Sequence, residues 1–439
     1  MLHPERKPTA AAFFAAAVMV AVPNLASAEG LASIYEQARS SDPQFQQDIA
    51  DLNARQELLP QAKAGLRPNA SLNSTFDAID NRNTNDQYRE LTYGISLRQP
   101  LYRHSRSQAV DQADAQVSQA QAEFAFAEQE LILRVAERYF AVLDAREALD
   151  AAEANLEAIQ RQLDQAEQRF EVGVIARTDV EEARAQADLA RAERLQAEDD
   201  LASQREELRE LTNRAPGELD AVRSGISLTP PEPAESASWR AQAEEENRQL
   251  AAARFAAQAA MEGIDVQRGG RLPTADLVAG YNRSREYGKN GREAEANRLS
   301  AGVELNVPLY QGGEVSSGIR EAQFRYTEAR EALEQTRRTV ARNAANAYRG
   351  VLTALERVRA LDQARVSTRT AVEATEAGFE VGTRTIVDVL NAQRELFNAE
   401  RDYEQARHAY LLNTLRLQQA AGTLTEADLE RVNALLGQT

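Results

Sequence analysis

The sequence predicts a mainly α-helical protein with a smaller β component, built from two similar halves that each join a pair of β-strands to a long antiparallel helical hairpin. Three observations predict it. Short motifs recur at offsets of 205 to 209 residues, four segments alternate apolar with polar residues, and two runs of heptad-spaced apolar residues are too long for an ordinary globular helix.

In chain order, residues 1–28 read as a secretory signal peptide. Arg6 and Lys7 precede an apolar run from Ala10 to Val22, which ends near the small residues Ala26-Ser27-Ala28. That run is shorter than the roughly 20 residues of a membrane-spanning helix, and no longer apolar stretch follows it. The mature chain is therefore expected to carry no transmembrane helix. It divides into a first structural repeat over 29–212, a connector over 213–238, a second repeat over 239–424 and a tail over 425–439. The connector breaks both periodicities with Pro216, Gly217, Gly225, Pro230, Pro231 and Pro233, and is expected on the outside of the helical body. In the tail, Thr425-Glu426-Ala427-Asp428 has the form of a helix start, and this last helix is expected near the connector.

Composition narrows the function classes. The formal net charge is −17, which disfavours nucleic acid and anionic lipid as partners. Cysteine is absent, so disulfides and an acylated N-terminal cysteine are both excluded. The three histidines are His3, within residues 1–28, and the isolated His104 and His408. Zinc sites and Cys/His nucleophiles have almost no material, so neither a cofactor nor a structural metal is expected, and the chain does not read as an enzyme.

The duplication is legible residue by residue. Gly65-Leu66-Arg67-Pro68 returns as Gly270-Arg271-Leu272-Pro273, and Pro100-Leu101-Tyr102 as Pro308-Leu309-Tyr310. Phe170-Glu171-Val172-Gly173 returns as Phe379-Glu380-Val381-Gly382, and Asp179-Val180 as Asp388-Val389. In each half, two segments of about 10 residues alternate in the manner of tilted membrane strands. Leu91, Tyr93, Ile95 and Leu97 oppose Thr92, Gly94, Ser96 and Arg98; Leu299, Ala301, Val303 and Leu305 oppose Ser300, Gly302 and Glu304. Their partners are Ala70, Leu72 and Phe76 in the first half, and Ala275, Leu277, Ala279 and Tyr281 in the second. The polar stretches Ile79 to Glu90 and Arg283 to Arg298 are expected to be exposed loops. Four strands cannot close a barrel, and lipid does not tolerate open sheet edges, so several subunits must share one.

Pro100 and Pro308 are expected to end the strand pairs, because proline brings no N–H to a ladder. A helix from about Ser105 to Val172 follows, with a seam at Val135, Val142, Leu149, Leu156, Leu163 and Phe170 and small residues beside it. The second half shows the same rhythm at Val389, Leu396, Tyr403, Tyr410 and Leu417. Gly173 and Gly382 mark where each helix stops and the hairpin turns. Beyond these turns, Thr178 with Glu181, and Thr385 with Asp388, fit the Ser/Thr-x-x-acid capping pattern.

The leader, the duplicated strand pairs, the Pro-Leu-Tyr junctions and a hairpin tip reading Val-Gly-Thr-Arg-Thr-Ile-Val-Asp-Val-Leu (Val381 to Leu390) together resemble the TolC family of outer-membrane channel-tunnels. The likeness extends over nearly the whole mature chain, including Ala421-Gly422-Thr423-Leu424. It implies a homotrimer whose strands form a twelve-stranded β-barrel in outer-membrane lipid, continued by a periplasmic tunnel of packed helical hairpins. It also implies a passive duct, opened at its tip by a periplasmic adaptor protein and an inner-membrane ABC or proton-driven transporter. By the same resemblance, Asp388 matches a carboxylate of the pore ring, and Arg384 an arginine that bonds a Thr-Asp pair, here Thr178 and Asp179. Two positions depart from the pattern. Asn391 replaces a second ring aspartate, which leaves one ring as a cation-binding candidate, and Phe379 replaces a tyrosine that bonds across the closed tip. The residue pattern alone also fits an oligomeric coiled-coil spacer of the cell envelope, and the sequence leaves protein secretion and drug efflux open, the missing acylated cysteine leaning towards secretion or a multipurpose duct.

Overall fold

The computed structural model describes residues 29–81, 86–288 and 293–437; the leader and the two strand-hairpin tips lie outside the described residues. Three short helices, α1 (Leu31–Ser41), α2 (Pro43–Gln56) and α3 (Leu58–Ala64), lead into strands β1 (Asn69–Asn81) and β2 (Asp86–Tyr102). Helices α4 (His104–Glu171) and α5 (Arg177–Thr212) form the first hairpin. After the connector, which contains β3 (Ala221–Val222), helices α6 (Ser236–Glu246) and α7 (Arg248–Arg268) precede strands β4 (Thr274–Gly288) and β5 (Glu293–Asn306). The second hairpin is α8 (Glu314–Glu380) with α9 (Ile386–Ala421), followed by α10 (Glu426–Asn433) and β6 (Leu436–Gly437).

The four long strands make one antiparallel sheet in the order β1-β2-β4-β5, with β1 and β5 at its edges. Register puts Leu72, Ile95, Tyr281 and Leu299 in one row across all four strands, and Ala70, Leu97, Ala279 and Ala301 in the next. This apolar face has no cover among the described residues: Leu299 is 82% exposed and Leu72 74%. The opposite face is small and polar, as in the row Ser71, Ser96, Gly280 and Ser300. A sheet that turns apolar side chains outward and polar ones inward suits lipid on one side and water on the other.

The strands correct two expectations. They run for 13, 17, 15 and 14 residues, deep into the polar stretches expected as loops. Alternation ends there, but the ladder continues because charges pair across it: Arg283 and Arg285 both reach Glu295, the latter at 3.3 Å. Pro100 does not end its strand either. β2 continues to Tyr102 through a register shift between Pro100 and Tyr102, so an irregularity absorbs the missing donor. At the foot of the sheet Asp276, 3% exposed, accepts hydrogen bonds from Arg98 and from Arg103 Nε, each at 2.8 Å, tying β4 to the residue that precedes α4.

The long helices contact one another along their length, and the main apolar core lies where the short elements wrap them. Leu31 and Ile34 of α1, Val135 and Phe140 of α4, Leu208 of α5, Leu415 of α9 and Leu429 of α10 all belong to it. The connector and the tail meet on this belt, where Val222 pairs with Leu436 and Ala221 with Gly437. Tyr139, fully buried, donates its hydroxyl to the carbonyls of Glu29 and Asp220. Two consecutive buried residues of α9 complete the belt. His408 Nδ1 lies 2.6 Å from Asp144 Oδ1 and its ring stacks on Phe140, while Arg407 pairs with Glu404 and donates to the carbonyl of Arg223. The end of the second hairpin is thereby joined to the first hairpin and to the connector at once.

Candidate functional site

Far from the belt and the sheet, the two hairpins end in turns of the same construction. Gly173 and Gly382 adopt φ of 77° and 78°, a left-handed conformation that glycine enters without a Cβ penalty. The N–H of Gly173 donates to the Phe170 carbonyl at 2.9 Å and that of Val174 to the Arg169 carbonyl at 2.9 Å; Gly382 and Thr383 repeat this onto Phe379 and Gly378 at 3.1 and 2.8 Å. These are Schellman closures, which satisfy the last carbonyls of α4 and α8.

The returning helices begin differently. Thr385 and Asp388 form a reciprocal capping box: the Thr385 N–H donates to Asp388 Oδ2 at 2.9 Å, and the Asp388 N–H donates to Thr385 Oγ1 at 3.2 Å. The Thr385 backbone N–H, then its hydroxyl, hold the Asp388 carboxyl below the usual carboxylate range, with Arg384 adding a smaller pull. In the first half the cap falls at Ala176, not at Thr178 as the Thr178–Glu181 spacing suggested. The Ala176 N–H donates to Asp179 Oδ2 at 3.3 Å, but alanine offers no oxygen in return. Thr178 sits inside the helix, and its hydroxyl lies 3.5 Å from Asp179 Oδ1.

Between the tips lies a cavity of about 300 Å³, whose walls include Arg169, Ile175, Asp179, Phe379, Arg384 and Ile386. Arg384 and Asp179 thus line one space, although no ion pair joins them among the described residues. Arg384 instead lies over Gly378: a Cβ at that glycine would stand 2.8 Å from Arg384 Cγ. Phe379 receives the guanidinium of Arg169 over its ring, 4.8 Å from the centroid. Asn391 is exposed, and its side-chain oxygen accepts from Arg394 one turn along the same helix at 3.0 Å. Just above the cavity, Leu390 and Ile386 of α9 pack into the first hairpin against Leu156, Ile159 and Leu163, with Leu390 only 5% exposed.

The expected tip residues therefore converge at one end of the molecule, while Arg169, Gly378 and Leu390 join them without having been singled out from the sequence. The signal for all three is a break in the repeat: at the offset of 209 residues, Arg169 faces Gly378, and Glu181 faces Leu390. No group of three or more His, Cys, Asp or Glu side chains able to hold a metal occurs among the described residues of one chain.

An open sheet with an apolar outer face, continued by helical hairpins with charged, capped tips, defines a subunit of an outer-membrane channel extended into a helical tunnel. The chain belongs to the outer membrane efflux protein family, whose profile matches residues 34–214 and 239–423. It is 39% identical to the outer membrane protein TolC of Vibrio cholerae over 96% of this chain and 97% of that protein. It is 34% identical to TolC of Escherichia coli over 94% and 86%, and 29% identical to the alkaline protease secretion protein AprF of Pseudomonas aeruginosa over 94% and 89%. Among solved structures, CusC superposes with a TM-score of 0.78 at 16% identity, over 90% of this chain and 92% of CusC, a likeness of fold. The protein is an exit duct of the outer membrane with a periplasmic helical body, and it conducts rather than catalyses. Channels of this type work in tripartite export systems, together with adaptor and inner-membrane transporter proteins.

Proposed function

We propose that three copies of this chain close a single twelve-stranded barrel in outer-membrane lipid and a tunnel of helical hairpins beneath it. The duct carries cargo delivered by an inner-membrane ABC or proton-driven transporter through a periplasmic adaptor, in type I protein secretion, multidrug efflux or both. The observation that carries this reading is the sheet itself. Its outward face exposes Leu72, Ile95, Leu299 and Val303, and its two outer strands, β1 and β5, have no second partner among the described residues. Unpaired backbone groups are not stable in hydrocarbon, so β1 of one copy must pair with β5 of another. The kinship with a protease secretion protein supports the secretion branch.

In this assembly the tips form the gate. One Asp388 from each copy converges on the axis, while Asn391 contributes no charge, so the constriction holds a single ring of carboxylates. The experiment is conductance. Purified protein in planar bilayers is expected to form pores blocked by divalent or trivalent cations, and Asp388→Ala to weaken that block at least severalfold. Absence of any pore would leave a structural envelope protein as the reading; an unaltered block would remove Asp388 from the constriction.

A further inference from the structure

At the foot of the sheet four charged side chains meet, and the duplication repeats none of them. Asp276 of β4 stands directly opposite Glu304 of β5, on the same polar face as Gly280 and Ser300. Two carboxylates facing each other across a ladder repel. Arg98 of β2 spans the pair, 2.8 Å from Asp276 and 3.1 Å from Glu304, while Arg103 Nε donates to Asp276 at 2.8 Å. The second strand pair, β4 with β5, is thus balanced only by cations from the first. At the offset of 205 residues Asp276 corresponds to Ser71, and at 208 Glu304 corresponds to Ser96, Arg98 to Asn306 and Arg103 to Gln311. Ser71 and Ser96 share a hydrogen bond of 2.7 Å, so β1 presents its free edge already satisfied.

We propose that Asp276, Glu304, Arg98 and Arg103 form a pairing code that joins β2 to β4 of its own chain and reserves β1 and β5 for other copies. The inference rests on the shared-barrel reading, in which β5 of one copy meets β1 of the next. The two strand pairs are similar enough for two wrong joints to compete, β2 with β1 and β5 with β4 of another copy. In the first, Arg98 and Arg103 meet only Ser71 and Ser96. In the second, Asp276 and Glu304 meet only Asn306 and Gln311, and Asp276, 3% exposed, loses the cations that make its burial tolerable. The right joint between copies brings Asn306 and Gln311 to Ser71 and involves no charge. The cluster therefore acts by rejecting partners rather than by adding affinity for one.

Cysteine is absent from the chain, so introduced pairs report each joint through disulfide formation. Leu97 faces Ala279 across β2 and β4; the repeat accordingly places Leu305 opposite Ser74 at the right joint between copies, and Leu97 opposite Ser74 at the wrong one. Within a chain Leu97 faces Ala70 instead, so a bond between positions 97 and 74 has to link two copies. For protein oxidised in lipid vesicles, Leu305→Cys with Ser74→Cys is expected to give linked copies, and Leu97→Cys with Ser74→Cys single chains. Asp276→Asn is expected to raise the second linkage about 10-fold or more, because the code then no longer penalises the wrong joint. Ser71→Asp, which offers Arg98 and Arg103 of another copy a carboxylate on β1, is expected to raise it as well. If neither substitution does so, the pairing code is overturned; Ser71→Asp leaves the native cluster whole, so that result holds even where Asp276→Asn does not assemble. No linkage between positions 305 and 74 in the otherwise unaltered chain would overturn the shared barrel instead.

Discussion

The two hairpin tips descend from one ancestral pattern and now do different physical work. They share the glycine turn, the phenylalanine three residues before it and a rung inside each hairpin, Arg184 to Glu167 in the first and Gln393 to Glu376 in the second, at 2.9 and 2.8 Å. They differ in what faces the neighbouring hairpin. At the position where the first tip carries Glu181, in reach of Arg177 and Arg184 and exposed to water, the second carries Leu390, buried between Ile159, Ala187 and Ala190. The first tip is a solvated surface that receives; the second inserts. The apolar insertion therefore runs one way within the chain, from the second hairpin into the first.

Removing the inserted side chain should have the largest effect. Leu390→Ala is expected to cost about 2–5 kcal/mol of local stability, the range for a buried leucine, and Glu181→Ala less than about 0.5 kcal/mol. Hydrogen exchange of the first turns of α9 measures both, and equal protection in the two variants would abolish the distinction between an inserting and a receiving tip. The caps come next. Thr385→Ala is expected to cost about 1 kcal/mol at the start of α9, whereas Ala176→Thr, which completes the missing half of the box, should stabilise α5 by about 0.5–1 kcal/mol. Limited proteolysis at the tips would rank the two variants, and a neutral Ala176→Thr would show that the first turn does not admit the reciprocal bond.

The smallest effect is a pH dependence. Asp388 is held below its ordinary range in the folded chain, so the stability its cap contributes is present above the unfolded value, near 4, and is lost as pH falls through the lower folded value. Protection of the α9 N-terminus should therefore stay level between about pH 7 and 5 and fall only below about pH 4. In the proposed trimer, repulsion between the Asp388 carboxylates of the three copies would act in the opposite direction. Loss of protection beginning above about pH 5 would show that ring repulsion outweighs the cap in the assembled pore.

Regular features of long repeat were legible in the sequence. The first long helix was placed within one residue at each end, because apolar residues every seven positions can form only one kind of structure over such a length. Both turn glycines were legible for the same reason: a repeated glycine after a repeated phenylalanine leaves little else to do. The strand ends were not, since Arg283, Arg285 and Glu295 are polar on both counts and reveal their pairing only across the ladder. The cap at Ala176 was missed because the turn after Gly173 closes two residues sooner than the Thr178–Glu181 spacing implies, and alanine carries no capping signature. The tie between Arg169 and Phe379, like that between His408 and Asp144, joins residues more than two hundred positions apart, and no local pattern announces it.

The small sheet on the belt has a consequence in time. Val222 pairs with Leu436 across more than two hundred residues, and the same connector pairs at Leu219 with Glu29. Contacts of such sequence separation form late, because the loop between them must be closed before they return any stabilisation. The helical hairpins can zip locally while the chain is still arriving, but the belt can fasten only after residue 436 is in place. A copy caught half-delivered would have its rods and lack its girdle. The order of assembly is thus written into which residues the girdle joins.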